Sequence, residues 1–182
     1  MLNAIGGVEL SSVAKGMEAA DAMLKTADIK LILSRSICAG KYIALVAGDV
    51  GDVQAAVDAG SAIAGHALVD SFVVPNIHPE VFPAIEGTNV VEALEALGVI
   101  EAFSVSALIE AADAAVKAGA VKLLEIRLAM ALGGKAFVTM TGSVAAVETA
   151  VNAGAAVVGK KGLLVEKVVI PQPRPELLRE LI

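Results

Sequence analysis

The sequence is poor in the side chains on which many cofactor, disulfide and nucleic-acid sites depend. Its 182 residues include one cysteine, two histidines, no tryptophan, one tyrosine and four phenylalanines. A single cysteine cannot form a disulfide within the chain, which is typical of a protein in a reducing compartment. So few aromatic rings form no platform on which bases could stack. The composition therefore disfavours a disulfide-stabilised secreted domain and a single-stranded nucleic-acid binder.

Long apolar runs and an excess of basic residues are lacking as well. With 14 Lys and Arg against 20 Asp and Glu, the net charge is −6, so a nucleic-acid footprint is not expected. Runs such as IALVAG and FVVP are too short to span a bilayer. The first residues, MLNAIGGVEL, lack the charged region of a secretory signal. We expect a cytoplasmic protein that binds neither membrane nor nucleic acid.

Small apolar side chains are abundant instead. The chain is 57% hydrophobic, contains 17 glycines, and is rich in alanine and valine. Its mean hydropathy of +0.76 is high for a chain without membrane spans. A monomer of this composition would expose large apolar patches, so the sequence predicts extensive burial between subunits.

An internal repeat organises the chain. Three segments of the first half match three of the second half in order: AIGGVELSSVAKGMEAADAMLKTADIKL at 4–31 with ALGVIEAFSVSALIEAADAAVKAGAVKL at 96–123, GKYIALVAGDVGDVQAAVDAGSAIAG at 40–65 with GKAFVTMTGSVAAVETAVNAGAAVVG at 134–159, and VDSFVVPNIHPE with VEKVVIPQPRPE. The sequence therefore predicts a tandem duplication with domains at 1–90 and 91–182. The copies differ by two residues in length in the stretch before Gly40, which contains Cys38.

Hydrophobic periodicity predicts the same order of strands and helices in each copy. In the first copy, strands are predicted at 4–10, 29–37, 41–47 and over VDSFVVP. One helix is predicted after Ser12 and another after Asp49, both as N-caps, with Ser104 and Ser143 as their equivalents. PEVFPAIEG and PELLRELI read as short helices with proline in the first turn. The predicted class is α+β: two ferredoxin-like domains, each a small antiparallel-type sheet with helices on one face.

The residues alone leave the role of Cys38 open. It lies in SRSICAGKY, between two predicted strands. A buried cysteine that acts as a small hydrophobe is one interpretation. The other is a thiol that acts together with its copies in other subunits, because its own chain offers no second cysteine. Arg35 and Lys41 would lower the pKa of the thiol if they approach the sulfur.

Catalytic motifs are not found. Gly40–Lys41 and Gly134–Lys135 lack the glycine spacing and the Ser/Thr of a phosphate-binding loop, so we interpret each as a turn glycine beside an exposed lysine. The recurrence of Glu9 and Glu101 is explained by the duplication. No nucleophile, base and orienting group form a set, so we do not expect an enzyme.

Three motifs resemble the bacterial microcompartment (BMC) shell-protein domain: EAADAMLKTADIKL, GKYIALVAGDVGDVQAAVDAGSAIAG and VIPQPRPEL. The resemblance covers both halves, so the chain is similar to the tandem-domain shell proteins, and the lone cysteine of ICAGK points to their PduT type. This family implies a homotrimer whose six domains imitate a hexameric tile around a pore. It also implies other shell proteins as partners and a microcompartment in the cytoplasm as the location.

The resemblance also implies two sets of site residues. The pore loops would be Ser36, Ile37, Cys38, Ala39 and Gly40 in the first copy and Met130, Ala131, Leu132 and Gly133 in the second. Contacts at the tile edges would come from Lys25, Lys117 and Arg174, and from His78, which stands where the second copy has Arg174.

For the PduT type, the family implies one [4Fe–4S] cluster per trimer, held by three Cys38 thiolates and an exogenous fourth ligand. Its role would be electron transfer across the shell or delivery of the cluster to lumenal redox enzymes. One alternative is a shell tile with an open pore for small metabolites and no cluster. Another is a metabolite-binding regulatory protein on the same scaffold, since this fold serves many functions.

Overall fold

The structure of the protein is a computed structural model that describes residues 2–91, 93–129, 133–174 and 176–177. The chain forms two compact units, unit 1 at 1–77 and unit 2 at 78–182. Each unit contains a four-stranded sheet in which every neighbouring pair of strands is antiparallel. The predicted α+β class with one sheet in each copy is confirmed.

Unit 1 has the predicted order of elements: β1 (Ala4–Leu10), α1 (Val13–Thr26), β2 (Lys30–Ile37), β3 (Lys41–Gly48), α2 (Val50–Ala64) and β4 (Leu68–Pro75). The sheet order is β2-β3-β1-β4, so β1 is a central strand and is buried along its whole length. The core of the unit lies between the sheet and the two helices, where Val8 and Val46 meet Met23 and Val57.

Unit 2 repeats this order after one additional helix: α3 (Val81–Glu86), β5 (Ala96–Ala102), α4 (Val105–Ala118), β6 (Lys122–Leu128), β7 (Ala136–Gly142), α5 (Val144–Lys160) and β8 (Leu164–Pro171). Its sheet order, β6-β7-β5-β8, is the equivalent of the order in unit 1. The register is also equivalent, since Leu10 pairs with Tyr42 and Ala102 pairs with Ala136.

Three of the four predicted N-cap residues cap their helices with a side-chain hydrogen bond. The hydroxyls of Ser12, Ser104 and Ser143 each accept a hydrogen bond from a backbone N–H in the first turn, at 3.2–3.3 Å. Asp49 occupies the N-cap position of α2 but makes no such bond. Its carboxylate accepts instead from Asn3 Nδ2 at 3.2 Å.

The contact between the first helix and the sheet differs between the units. Gly16 of α1 lies so close to Tyr42 of β3 that an added Cβ would be 2.4 Å from the ring. No larger residue fits there unless the ring moves, because real Cβ atoms do not approach other atoms so closely. Unit 2 has Leu108 and Ala136 at the equivalent positions, and both are fully buried. The large side chain at this contact is therefore on the strand in unit 1 and on the helix in unit 2.

Residues 78–90 pack within unit 2, although the predicted boundary assigns them to the first copy. The backbone N–H of His78 donates to Asp113 Oδ1 at 2.8 Å, and Asn89 Nδ2 donates to the carbonyl of Leu123 at 2.8 Å. Val81 and Ala84 of α3 are fully buried. The repeat shows which residues share a sequence pattern, whereas the unit in which a segment packs depends on where its apolar side chains are covered.

Candidate functional site

Cys38 lies at the tip of the hairpin that joins β2 to β3. The strands end with the pair Ile37 and Lys41, and residues 38–40 form a short 3-10 turn. Ala39 and Gly40 both have positive φ, 63° and 71°, so two consecutive left-handed residues reverse the chain. Cys38 is half-buried, and both residues after it are exposed. The thiol is therefore carried by a short exposed turn at one end of the sheet.

All five residues predicted for the first pore loop lie together at this tip. Ile37 is buried and anchors the end of β2, whereas Ser36 is exposed. In unit 2 the chain leaves β6 through Ala129, whose φ is 46°, and returns through Gly133 and Gly134, whose φ values are 62° and 88°. Gly133 is exposed. The other predicted residues of this loop, Met130, Ala131 and Leu132, lie outside the described residues.

An ion pair supports the base of each hairpin. Lys41 Nζ lies 2.7 Å from Glu9 Oε1, and Lys135 Nζ forms the equivalent pair with Glu101. The interpretation of these lysines as exposed was wrong, because both are half-buried against a carboxylate of the central strand. Sequence reasoning also missed the pairing. Its signal was the recurrence of opposite charges at the same spacing in both copies, on strands predicted to be neighbours.

Two arginines on the edge strands have different surroundings. Arg127 Nε donates to Glu125 Oε1 at 2.8 Å, and its guanidinium lies 5.5 Å from the centroid of the Phe137 ring. Unit 1 has apolar Leu33 and Ile43 at the positions of these two partners. Arg35 Nε is buried and makes no hydrogen bond to the residues that the structure describes. Near the Cys38 hairpin, neither equivalent partner is present to offset the arginine charge.

The residues predicted at tile edges form one cluster and two separate pairs. His78 and Lys117 meet at Asp113, which accepts from the His78 backbone N–H at 2.8 Å and from Lys117 Nζ at 2.6 Å. In unit 1, Lys25 pairs with the exposed Asp21. The positions of these residues relative to other tiles remain a prediction.

The fourth predicted edge residue, Arg174, pairs locally. Its Nη2 lies 3.1 Å from Glu176 Oε1. The backbone hydrogen bond of Glu176 and then the Arg174 guanidinium lower the pKa of the Glu176 carboxyl. Both side chains are exposed, so this pair keeps its polar groups in solvent.

The described part of one chain does not assemble a metal site. No three His, Cys, Asp or Glu side chains among those residues lie close enough to hold a metal ion together. A surface pocket of about 280 Å³ lies at the end of the unit 1 sheet opposite Cys38, between Asp28, Lys30, Asp49 and Asp52, and it contains no predicted site residue. Within the described ranges, no helix has the length and apolar character to cross a membrane.

A family match and solved structures agree with this geometry. The BMC domain profile matches residues 4–77 and 96–173, which contain the two four-stranded sheets. The chain belongs to the BMC-domain family. The bacterial microcompartment shell protein PduT of Citrobacter freundii is 48% identical to it over 182 residues, a match that covers 100% of this chain and 99% of that protein. The predicted tandem BMC arrangement is thus confirmed.

Single-domain relatives match about half of this tandem BMC chain. The shell protein EutM of Escherichia coli K12 is 45% identical over 87 residues, which are 45% of this chain and 90% of EutM. A crystal structure of a microcompartment protein from Desulfitobacterium hafniense has a TM-score of 0.94 and 50% identity, and covers 98% of this chain and 99% of that one.

A more distant structure shows the fold alone. The fused permuted hexameric shell protein MSM0275 of the RMM microcompartment has a TM-score of 0.62 at 22% identity, over 86% of this chain and 81% of that one. With the full-length match to a shell protein, the family identifies this chain as a structural shell protein of a bacterial microcompartment.

Proposed function

We propose that the chain forms a homotrimeric shell tile, with six BMC domains around a central pore, and that three copies of Cys38 hold one [4Fe–4S] cluster there. An exogenous ligand occupies the fourth iron site. The observation that carries the proposal is the position of Cys38 on an exposed turn at a hairpin tip. The chain has a single cysteine, so the equivalent tip of unit 2 carries none.

Symmetry makes one thiol per chain sufficient. A closed ring of three chains brings three equivalent loops to its axis, and each loop contributes one cysteine. Iron–sulfur clusters are held by thiolates, commonly about four, so three thiolates and one further ligand complete the set. The donor chemistry of the 38–40 turn fits this group, because the sulfur stands next to two small residues, Ala39 and Gly40, that leave room for other chains.

Cationic side chains near the base of the hairpin support the same assignment. Positive charge favours a thiolate over a thiol and offsets the negative charge of a cluster. The charge of Lys41 is shared with Glu9, whereas Arg35 lacks the equivalents of the partners that Arg127 has. When bound, the cluster supplies one-electron transfer, either across the shell or after delivery to lumenal redox enzymes. The chain itself holds the sulfur at the tip of the hairpin and closes the pore around it.

The tile packs with other shell proteins through Lys25, Lys117, Arg174 and His78. Three of these four side chains are exposed, and His78 is half-buried. Exposed polar rims of this kind are typical of contacts between folded subunits. No part of this assignment requires catalysis by the chain, and the proposal is that of a structural, redox-active tile.

Anaerobic purification followed by electron paramagnetic resonance and iron analysis tests the cluster. We expect about four iron atoms per three chains and a signal that Cys38→Ser abolishes while light scattering still reports a trimer. Ser36→Ala, at the exposed position two residues before Cys38, is the matched control and should keep the signal.

Each other result has a definite meaning. Wild-type protein without iron or signal, kept free of oxygen, would overturn the cluster and favour a tile with an open pore for small metabolites. A monomeric wild type would overturn the trimer. Saturable binding of a soluble metabolite by a protein that does not assemble into sheets would point instead to a regulatory protein.

A further inference from the structure

Unit 1 has an apolar surface whose equivalent in unit 2 is buried. Three side chains of α1 and β2 define this open face, and they are exposed by 38–58%: Met17, Leu24 and Leu31. The equivalent residues of unit 2 are exposed by no more than 8%: Ile109, Val116 and Leu123. Because the repeat places both sets at the same positions, the difference lies in what covers them.

In unit 2, the segment 78–90 lies over this region. At its start, the backbone N–H of His78 donates to Asp113 of α4. At its end, Lys122 Nζ donates to the carbonyl of Val90 at 2.8 Å, and Asn89 bonds to the β6 backbone. Between these points α3 packs on β6 with Val81 and Ala84 fully buried. The segment is thus attached to α4 at its start and to β6 at its end.

The second copy contains an equivalent segment, 174–182. Its sequence, RPELLRELI, aligns with HPEVFPAIE at 78–86. Leu177 aligns with the fully buried Val81, yet 36% of Leu177 is exposed. Leu178, Leu181 and Ile182 add further apolar residues to the sequence of the segment. Leu177 and the open face of unit 1 are therefore both partly exposed in the part of the chain that the structure describes.

We propose that segment 174–182 of one copy covers the open face of unit 1 in a second copy, as segment 78–90 covers unit 2 in its own chain. The inference rests on the proposed homotrimer and specifies how its subunits meet. The contact is head-to-tail, so three copies related by a threefold axis close it into a ring.

The polar contacts of unit 2 predict those between copies. Asp113 accepts from the His78 backbone and pairs with Lys117, and only 10% of its side chain is exposed. Asp21 pairs with Lys25 in the same way, but 61% of its side chain is exposed. In the trimer, the Asp21 carboxylate of one copy accepts from the backbone N–H of Arg174 of the next and becomes buried.

A disulfide between copies tests this contact. In a Cys38→Ser background, Asp21→Cys is combined with Arg174→Cys, because a carboxylate that reaches a backbone N–H stands at the kind of separation a disulfide spans. Oxidation with diamide should give a covalent trimer on a denaturing gel, which a reductant converts to one monomer band. The matched control combines Arg174→Cys with Asp58→Cys, on the exposed side of α2, and should remain uncrosslinked.

The outcomes separate this inference from the proposed function. A trimer by light scattering that gives no cross-link, or a cross-link within one chain, overturns the inference and leaves the homotrimer in place. A monomeric wild type overturns the homotrimer and the inference with it.

A second variant does not depend on oxidation. Leu177→Asp should weaken the trimer roughly tenfold or more, since it removes a leucine from an apolar contact, while the circular dichroism of the fold is unchanged. Val50→Asp, which places the same charge on an exposed apolar residue in the first turn of α2 and outside the proposed contact, is its control. A trimer of unchanged affinity in Leu177→Asp contradicts the inference.

Discussion

Gly16 lies against Tyr42 in unit 1, and the equivalent positions of unit 2 hold Leu108 and Ala136. The first helix approaches the strand with no side chain in one unit and with a leucine in the other. The backbone elements and the strand register are nevertheless the same. The two units thus keep the same topology although the large side chain at this contact is on the strand in one and on the helix in the other. Both arrangements fill the space because packing depends on the combined volume of the two side chains that face each other.

Charge has been redistributed between the units in the same way. Both units retain the lysine–glutamate pair at the hairpin base, but 8% of the Glu9 side chain is exposed compared with 28% of that of Glu101. Arg127 has an acidic and an aromatic partner, and Arg35 has neither equivalent. The units are therefore alike as scaffolds and different at the hairpin tips, where the cysteine lies.

The largest effect is expected from transferring the leucine of unit 2 into unit 1. Gly16→Leu should destabilise the protein by about 3 kcal/mol, because the added side chain overlaps the Tyr42 ring. Leucine gains up to about 0.8 kcal/mol in helix propensity over glycine, so a net loss would report the overlap itself. The free energy of unfolding in urea is the measurement.

The double variant Gly16→Leu/Tyr42→Ala, which copies both residues of unit 2, is the control. It should recover most of the lost stability, and the two changes should be strongly non-additive. If the double variant is no more stable than Gly16→Leu, the exchange of bulk does not explain the difference between the units.

A smaller effect is expected at the two ion pairs. Glu9→Gln should cost about 1–2 kcal/mol, because it leaves the half-buried Lys41 without its charged partner. Glu101→Gln should cost less than about 1 kcal/mol, because that pair is more exposed to solvent. Thermal unfolding of both variants at low and high salt makes the comparison, and equal losses would contradict it.

The smallest effect is expected at the starts of α2 and α5. Ser143→Ala should cost about 1 kcal/mol through loss of an N-cap hydrogen bond. Asp49→Ala should cost only a few tenths of that, since the Asp49 side chain caps no backbone N–H. The free energy of unfolding of both variants is measured by chemical denaturation. A larger loss of stability in Asp49→Ala than in Ser143→Ala would mean that the bond of Asp49 to Asn3 contributes more than the N-cap bond of Ser143.

Periodicity and repetition were enough to predict the elements of each sheet. The strand predicted at 4–10 is β1, and the hydroxyls of Ser12 and Ser104 cap the helices as expected. Contacts between elements were not predictable in the same way. The pair between Lys41 and Glu9 depends on strand register, which a single sequence states only indirectly.

The turn that carries Cys38 was predictable from the sequence, and the contacts around it were not. The turn before Gly40 was expected from glycine and from the flanking apolar runs, and the structure has it. The burial of Asp113 depends on a backbone N–H that lies 35 residues earlier in the sequence. The packing of residues 78–90 depends on which apolar surface is left uncovered, and that surface exists only after both sheets have formed.

The attachment of residues 78–90 has a consequence for how the protein responds to dilution. A segment tethered to the unit that it covers acts at an effective concentration of the order of millimolar, whatever the amount of protein present. Unit 2 therefore keeps its cover in a single isolated chain. Unit 1 exposes Met17 and Leu24 in that chain, so in dilute solution its apolar surface stays open to solvent while that of unit 2 stays covered.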